Sequence, residues 1–194
     1  MSSAQRTAWF LIVGLVLSMV VLCCEARANT ASVRTALGKL AVFHEDIADP
    51  RKPEQLDAIA AAVGKLKPPQ GISRGDWQAL VIAVGFHESG YSLRIGDGNC
   101  RTHECDHGRA RSYWQLHANL HTAGFWDQLV GNKYVEVQAR VASEMLARAY
   151  YLCRGTQSDW SASMLSAFSG RRCDAQWSGL ATRIETWKRL RGAL

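Results

Sequence analysis

The chain has 194 residues, a length that suits one domain. With 47% hydrophobic and 21% charged residues its composition is that of an ordinary globular protein, which excludes a disordered or fibrous chain. The net charge is +6, but the basic residues are scattered and form no motif, so a polyanionic wall or membrane surface suits the chain better than nucleic acid.

Residues 1–28 read as a secretory signal peptide. Arg6 supplies the positive start, Trp9 to Leu22 is an apolar run too short for a comfortable membrane span, and Ala26-Arg27-Ala28 is a small-x-small cleavage site. Cleavage there removes Arg6, Glu25 and Arg27 and takes the net charge from +6 to +5. The mature chain would begin at Asn29, carry no transmembrane anchor and reside in a periplasm or outside the cell. A lipoprotein attached through Cys23 or Cys24 is the weaker alternative, because Val20-Val21-Leu22 fits a lipid-attachment signal poorly.

A series of helices follows. Ser32 is placed to cap one with Val33, Leu37, Leu40, Phe43 (or His44) and Ile47 on a face, broken at Asp49-Pro50. Pro53 suits the start of a second, with Leu56, Ile59, Ala60, Val63 and Leu66 as its stripe. After Pro68-Pro69-Gln70-Gly71, Ser73 caps a third helix, in which Trp77, Leu80, Val81, Val84 and Glu88 share one face before Ser89-Gly90 ends it. Residues 90–112 show no period and read as a long loop with a short hairpin at Ile95 to Cys100. Phe125-Trp126 starts a short helical piece. A long helix is expected from Lys133 to Cys153, with Val137, Val141, Met145 (or Leu146), Ala149 and Leu152 inward. Ser158 would cap the next, carrying Trp160, Met164, Leu165 and Phe168 and stopped by Gly170. The last runs from Gly179 to Leu190, with Leu180, Ile184, Trp187 and Leu190 on one face.

The export signal implies an oxidising compartment, and four cysteines remain after cleavage: Cys100, Cys105, Cys153 and Cys173. Of the three possible pairings, Cys100–Cys105 with Cys153–Cys173 is favoured because it joins near neighbours.

Two patterns bear chemistry. His103-Glu104-Cys105-Asp106-His107 matches the HExxH pattern of zinc proteases, with His117 and His121 as further nitrogen donors. That motif needs a helix to aim both histidines at one ion, and this one lies among glycines, with Cys105 claimed by a disulfide. No metal and no cofactor is therefore expected. The second pattern is Glu88 itself, a carboxyl at the last turn of a helix on its apolar face. Burial raises a carboxyl pKa, as does the negative end of the helix dipole, and a carboxyl kept protonated is what a general acid requires.

Glu88-Ser89, then Trp114-Gln115-Leu116, then Ala167-Phe168-Ser169-Gly170 resemble, in order and spacing, the three motif segments of the lysozyme-like lytic transglycosylases and, more loosely, the goose-type lysozymes. The likeness spans residues 73–190. It implies a mainly α fold of the α+β lysozyme type: one helical domain, residues 73–194, with a long loop or small hairpin beside a cleft. Residues 29–72 form an amino-terminal helical segment outside the match. It also implies cleavage of the β-1,4 bond between N-acetylmuramic acid and N-acetylglucosamine in peptidoglycan, by a monomer with Glu88 as acid and then base. Ser89 and Gln115 would hold the sugar or the carboxyl, and Tyr113, Trp114 and Phe168 would line the groove. Ser112 stands where that family has glycine, and Phe168 and Ser169 replace its tyrosine and asparagine. The alternatives are a hydrolytic muramidase using Asp97, Asp106 or Asp127 as second carboxylate, a wall-binding protein without catalysis, and, last, the zinc protease.

Overall fold

The computed structural model describes residues 29–40, 46–156 and 159–194, together with 12, 15, 16 and 18. Most of the signal-peptide reading, including Arg6, Cys23, Cys24 and the cleavage site, therefore lies outside the described residues, as do Phe43, His44 and Ser158.

Residues 29–40 are helical (α1), so Ser32 lies inside a helix and not at its cap. The helices that follow are α2 (Lys52–Gly64), α3 (Arg74–Ser89), the short α4 (Leu93–Gly96), α5 (Val135–Cys153), α6 (Trp160–Phe168) and α7 (Ser178–Arg191). Ser73 caps α3 as its sequence predicts: its hydroxyl accepts from the Asp76 N–H at 3.1 Å, a contact worth about 1 kcal/mol. Gly90 closes the helix in the left-handed conformation, its N–H donating to the Phe86 carbonyl at 2.8 Å. The cap of α6 is Asp159, which accepts from the Ser161 N–H, one residue beyond the expected Ser158.

The fold is mainly helical and forms one domain. α3 packs against α2, α5 and α7, and the main apolar core runs from Val33 through Trp77, Leu80 and Leu146 to Leu190, with Ile95, Cys100 and Cys105 as a small separate cluster. Buried indoles tie the helices together with polar bonds. Trp77 donates to Ser143 on α5 at 3.0 Å, and Trp187 donates from α7 to the Asp76 carbonyl at 3.0 Å. On α5, Leu152 is exposed instead of inward, because the buried face of the last turn is taken by Ala149 and Cys153. Among the described residues no helix is long and apolar enough to cross a membrane.

The segment between α3 and α5 differs from the sequence expectation. Ile95 to Cys100 is not a hairpin; it begins with the end of α4, and the strand pair lies further on, β1 (Ala110–Arg111) antiparallel to β2 (Leu116–His117). Ser112 and Gln115 in the turn between them have positive φ, 73° and 49°. Ser112 thus takes the left-handed backbone that favours glycine, and its hydroxyl, fully buried, accepts from the Trp114 N–H at 3.1 Å. Both disulfides pair as expected, Cys100 with Cys105 and Cys153 with Cys173.

The amino-terminal half is braced to the end of α3 by a buried lysine. Lys52, 1% exposed, donates to the Tyr91 carbonyl at 2.5 Å and pairs with Asp46 at 2.7 Å. Gln55 donates to the same carbonyl at 2.8 Å, and Asp46 accepts from the Leu93 N–H at 2.6 Å.

Candidate active site

Glu88 ends α3 at the floor of a cleft of about 550 Å³ lined also by Gln115, Leu116, His117, Met145, Phe168, Arg171, Trp177 and Arg183. A second depression of about 220 Å³, bordered by His121, Arg148 and Leu152, shares Met145, Ala167 and Phe168 with it, so the groove continues over the α5–α6 surface. The Glu88 side chain keeps 22% of its exposure, enough to meet a ligand.

Its partner is Arg183 on α7, whose Nη2 donates to Glu88 Oε1 at 2.7 Å. The terminal carbonyls of α3 create a negative field at Glu88, and the guanidinium offsets it. Arg183 is in turn stacked on Trp177, its guanidinium carbon 4.7 Å from the ring centroid, and Arg171 stacks on the same ring at 5.0 Å. Trp177 is fixed by its own N–H, which reaches the Ser166 hydroxyl at 3.4 Å. Gly179 leaves room for it: a Cβ there would lie 2.3 Å from the indole.

The other residues singled out from sequence divide. Phe168, at the carboxyl end of α6, is half-buried and lines the cleft beside exposed Ser169 and Gly170. Gln115 also lines it, but its amide nitrogen is committed to the main-chain carbonyls of Glu88 and Glu104, not to the carboxyl. Ser89 is a correction. Its hydroxyl donates toward the Gly85 and Tyr113 carbonyls (3.1 and 2.6 Å) and accepts from the Tyr91 N–H, so it braces the helix end. Tyr113 and Trp114 are corrections too: both are 0% exposed and line no part of the cleft. Trp114 donates to the Val81 carbonyl at 2.9 Å, and burial pushes the Tyr113 hydroxyl pKa up to about 12. The reversed backbone at Ser112 and Gln115 turns these two rings inward, where they pack edge-to-face with each other, Trp114 edge-to-face and Tyr113 tilted against Tyr91.

No family model, curated protein or solved structure matches the chain.

His87, beside Glu88, is held neutral. Burial lowers its pKa to about 4, helped by the charge of Arg183. The Thr186 hydroxyl donates to the Thr182 carbonyl, so it accepts from His87 Nε2–H at 2.9 Å, which assigns the proton to Nε2. Asp97, Asp106 and Asp127 lie outside the cleft lining, bonded to Arg51, Arg109 and Arg111. His103–Gly108 is a kinked 3₁₀ segment in which Asp106 and His107 are left-handed, and Cys105 is in a disulfide. It is not the α-helix that would turn His103 and His107 toward one ion. Among the described residues no group of three histidine, cysteine or acidic side chains is arranged to hold a metal.

Arg183, Trp177 and Arg171 were not picked out from sequence. A signal existed for Arg183: it falls with Leu180, Ile184 and Trp187 on one helical face, a charge on an apolar stripe as Glu88 is.

Proposed function

We propose that the protein is an exported peptidoglycan lytic transglycosylase with Glu88 as its single acid–base group. The observation that carries this reading is that Glu88 is the one carboxylate lining the cleft among the described residues, at the end of the helix that organises the core. The continuous groove suits a polymer, with Phe168 as an apolar surface for a sugar ring. The disulfides and the net charge, +6 in full and +5 after cleavage, agree with an exported protein acting on an anionic wall.

In this reading the protonated Glu88 gives its proton to the oxygen linking muramic acid to glucosamine, and the bond from muramic acid C1 to that oxygen breaks. The resulting carboxylate takes the proton of the muramic acid 6-hydroxyl as its oxygen bonds to C1. Glu88 ends protonated again, and no water is consumed. The contact with Arg183 is that of the proton-accepting carboxylate, since arginine does not give up its own proton. Mass spectrometry of digested peptidoglycan tests the proposal: the products should carry 1,6-anhydro ends, lighter by one water than hydrolysed ends. Hydrolysed ends would assign a muramidase instead.

The Glu88–Arg183 ion pair favours a second reading, a glycan-binding protein without turnover, because a carboxylate held by arginine is not an acid. Intact glycan recovered from a saturated complex after prolonged incubation would select it.

A further inference from the structure

Two guanidiniums, Arg171 and Arg183, share the Trp177 ring at the rim of the cleft, and one carboxylate, Glu88, stands among the cleft residues to balance them. Arg171 is exposed and has no acidic partner among the described residues, while Arg183 is 15% exposed and spends its charge on Glu88. The cleft therefore carries an uncompensated positive charge beside the one acid among its described residues. Arginine forks suit carboxylates, to which they bond in pairs. The backbone also supports the placement: the Arg171 N–H bonds the Ser166 carbonyl at 2.9 Å, and Cys173, two residues on, is tied to α5.

Resting on the function proposed above, we propose that Arg171 and Arg183 form a subsite for the free carboxylate of a muramic acid that carries no stem peptide, and that this carboxylate replaces Glu88 as the partner of Arg183. Occupation of the subsite frees Glu88 to exchange its proton with the glycosidic oxygen. Arg183 is then a positioning residue, and the substrate's own charge switches the acid on. A glycan without acidic substituents would fill the groove and leave Glu88 held.

The probe is an oligosaccharide of alternating N-acetylglucosamine and N-acetylmuramic acid with free carboxylates, against the same oligosaccharide with its carboxyls converted to carboxamides. Both are titrated by calorimetry into the Glu88→Gln protein, which leaves the ligand intact. The carboxylate form should bind about tenfold more tightly, as expected for charge-assisted bonds at a partly exposed site. Adding Arg171→Ala should cut that preference several-fold, with Arg171→Lys retaining part of it. Circular dichroism of each variant checks the fold. Equal affinity for the two oligosaccharides, or a preference unmoved by Arg171→Ala, overturns the subsite alone. Failure to bind either overturns both the subsite and the function it rests on.

Discussion

Gly85 sits in the middle of α3, and its replacement by alanine sets two effects against each other. Alanine in a helix interior is favoured over glycine by about 1 kcal/mol. Against this, a Cβ at Gly85 would lie 2.6 Å from the Tyr91 hydroxyl oxygen and 2.8 Å from two carbons of its ring. Ordinary contact is about 3.5–4.0 Å, so the ring must retreat by about 1 Å. It has nowhere to go: Tyr91 is 1% exposed and packed against Tyr113 and Trp114, with centroids 6.1 and 6.2 Å away. Its hydroxyl also donates to the Ile82 carbonyl at 2.9 Å and would lose that bond. Overpacking costs about 1–3 kcal/mol and a stranded buried hydroxyl about 1–3 kcal/mol, so at mid-range the clash outweighs the propensity gain by about 3 kcal/mol. For a chain of this size that lowers Tm by about 6–12 °C. Thermal unfolding followed by circular dichroism measures it. Gly38→Ala in α1 is the control: among the described residues its Cβ meets nothing closer than Arg34 Nη1 at 3.6 Å, so it should hold or raise Tm. A Gly85→Ala protein as stable as the parent would refute the packing argument around Tyr91.

Glu88→Gln should lower cleavage by about 10²–10⁴-fold with the fold intact, because glutamine keeps an acceptor for Arg183 but carries no transferable proton. Turnover near that of the parent would remove Glu88 from the chemistry. Replacing Cys153 and Cys173 by alanine should lower Tm more than replacing Cys100 and Cys105. Their separations are 20 and 5 residues, for which loop entropy gives about 3 and 2 kcal/mol; the reverse order in thermal melts would reject that account. For His87, the folded pKa of about 4 lies below the unfolded value of 6.5, so between them the unfolded chain binds the extra proton. Its contribution is fully present above pH 6.5 and is lost as pH falls toward 4. Urea unfolding across that window should show a shallower loss for His87→Gln than for the parent, and identical slopes would contradict a neutral buried His87.

The helices were legible in the sequence because their signals are local. Ser73, Gly90 and the spacing of Trp77, Leu80, Val81 and Val84 define α3 without reference to the rest of the chain. Sequence nearness likewise favoured the observed cysteine pairs. Tyr113 and Trp114 were misplaced because an aromatic ring fits a groove and a core equally well, and what decides is a pair of left-handed residues, Ser112 and Gln115, of types that do not announce that backbone. The hairpin was placed too early for a related reason: strands of two residues carry no alternation to detect. Arg183 meets Glu88 across 95 positions of sequence, a distance over which no periodicity reports.

The Lys52 brace bears on how such a chain can vary. The resemblance expected from the sequence begins at residue 73, which by itself points to a cleft-bearing unit independent of residues 29–72. Yet the Tyr91 carbonyl, three residues past Glu88, is satisfied by Lys52 and Gln55 from that segment. A change at Lys52 leaves that carbonyl, three residues from where the acid stands, to Gln55 alone and takes from Asp46 its charged partner. Residues 46–55 and the cleft are thus one heritable unit: a shuffled copy of residues 73–194 would inherit the pocket without the prop that sets its floor.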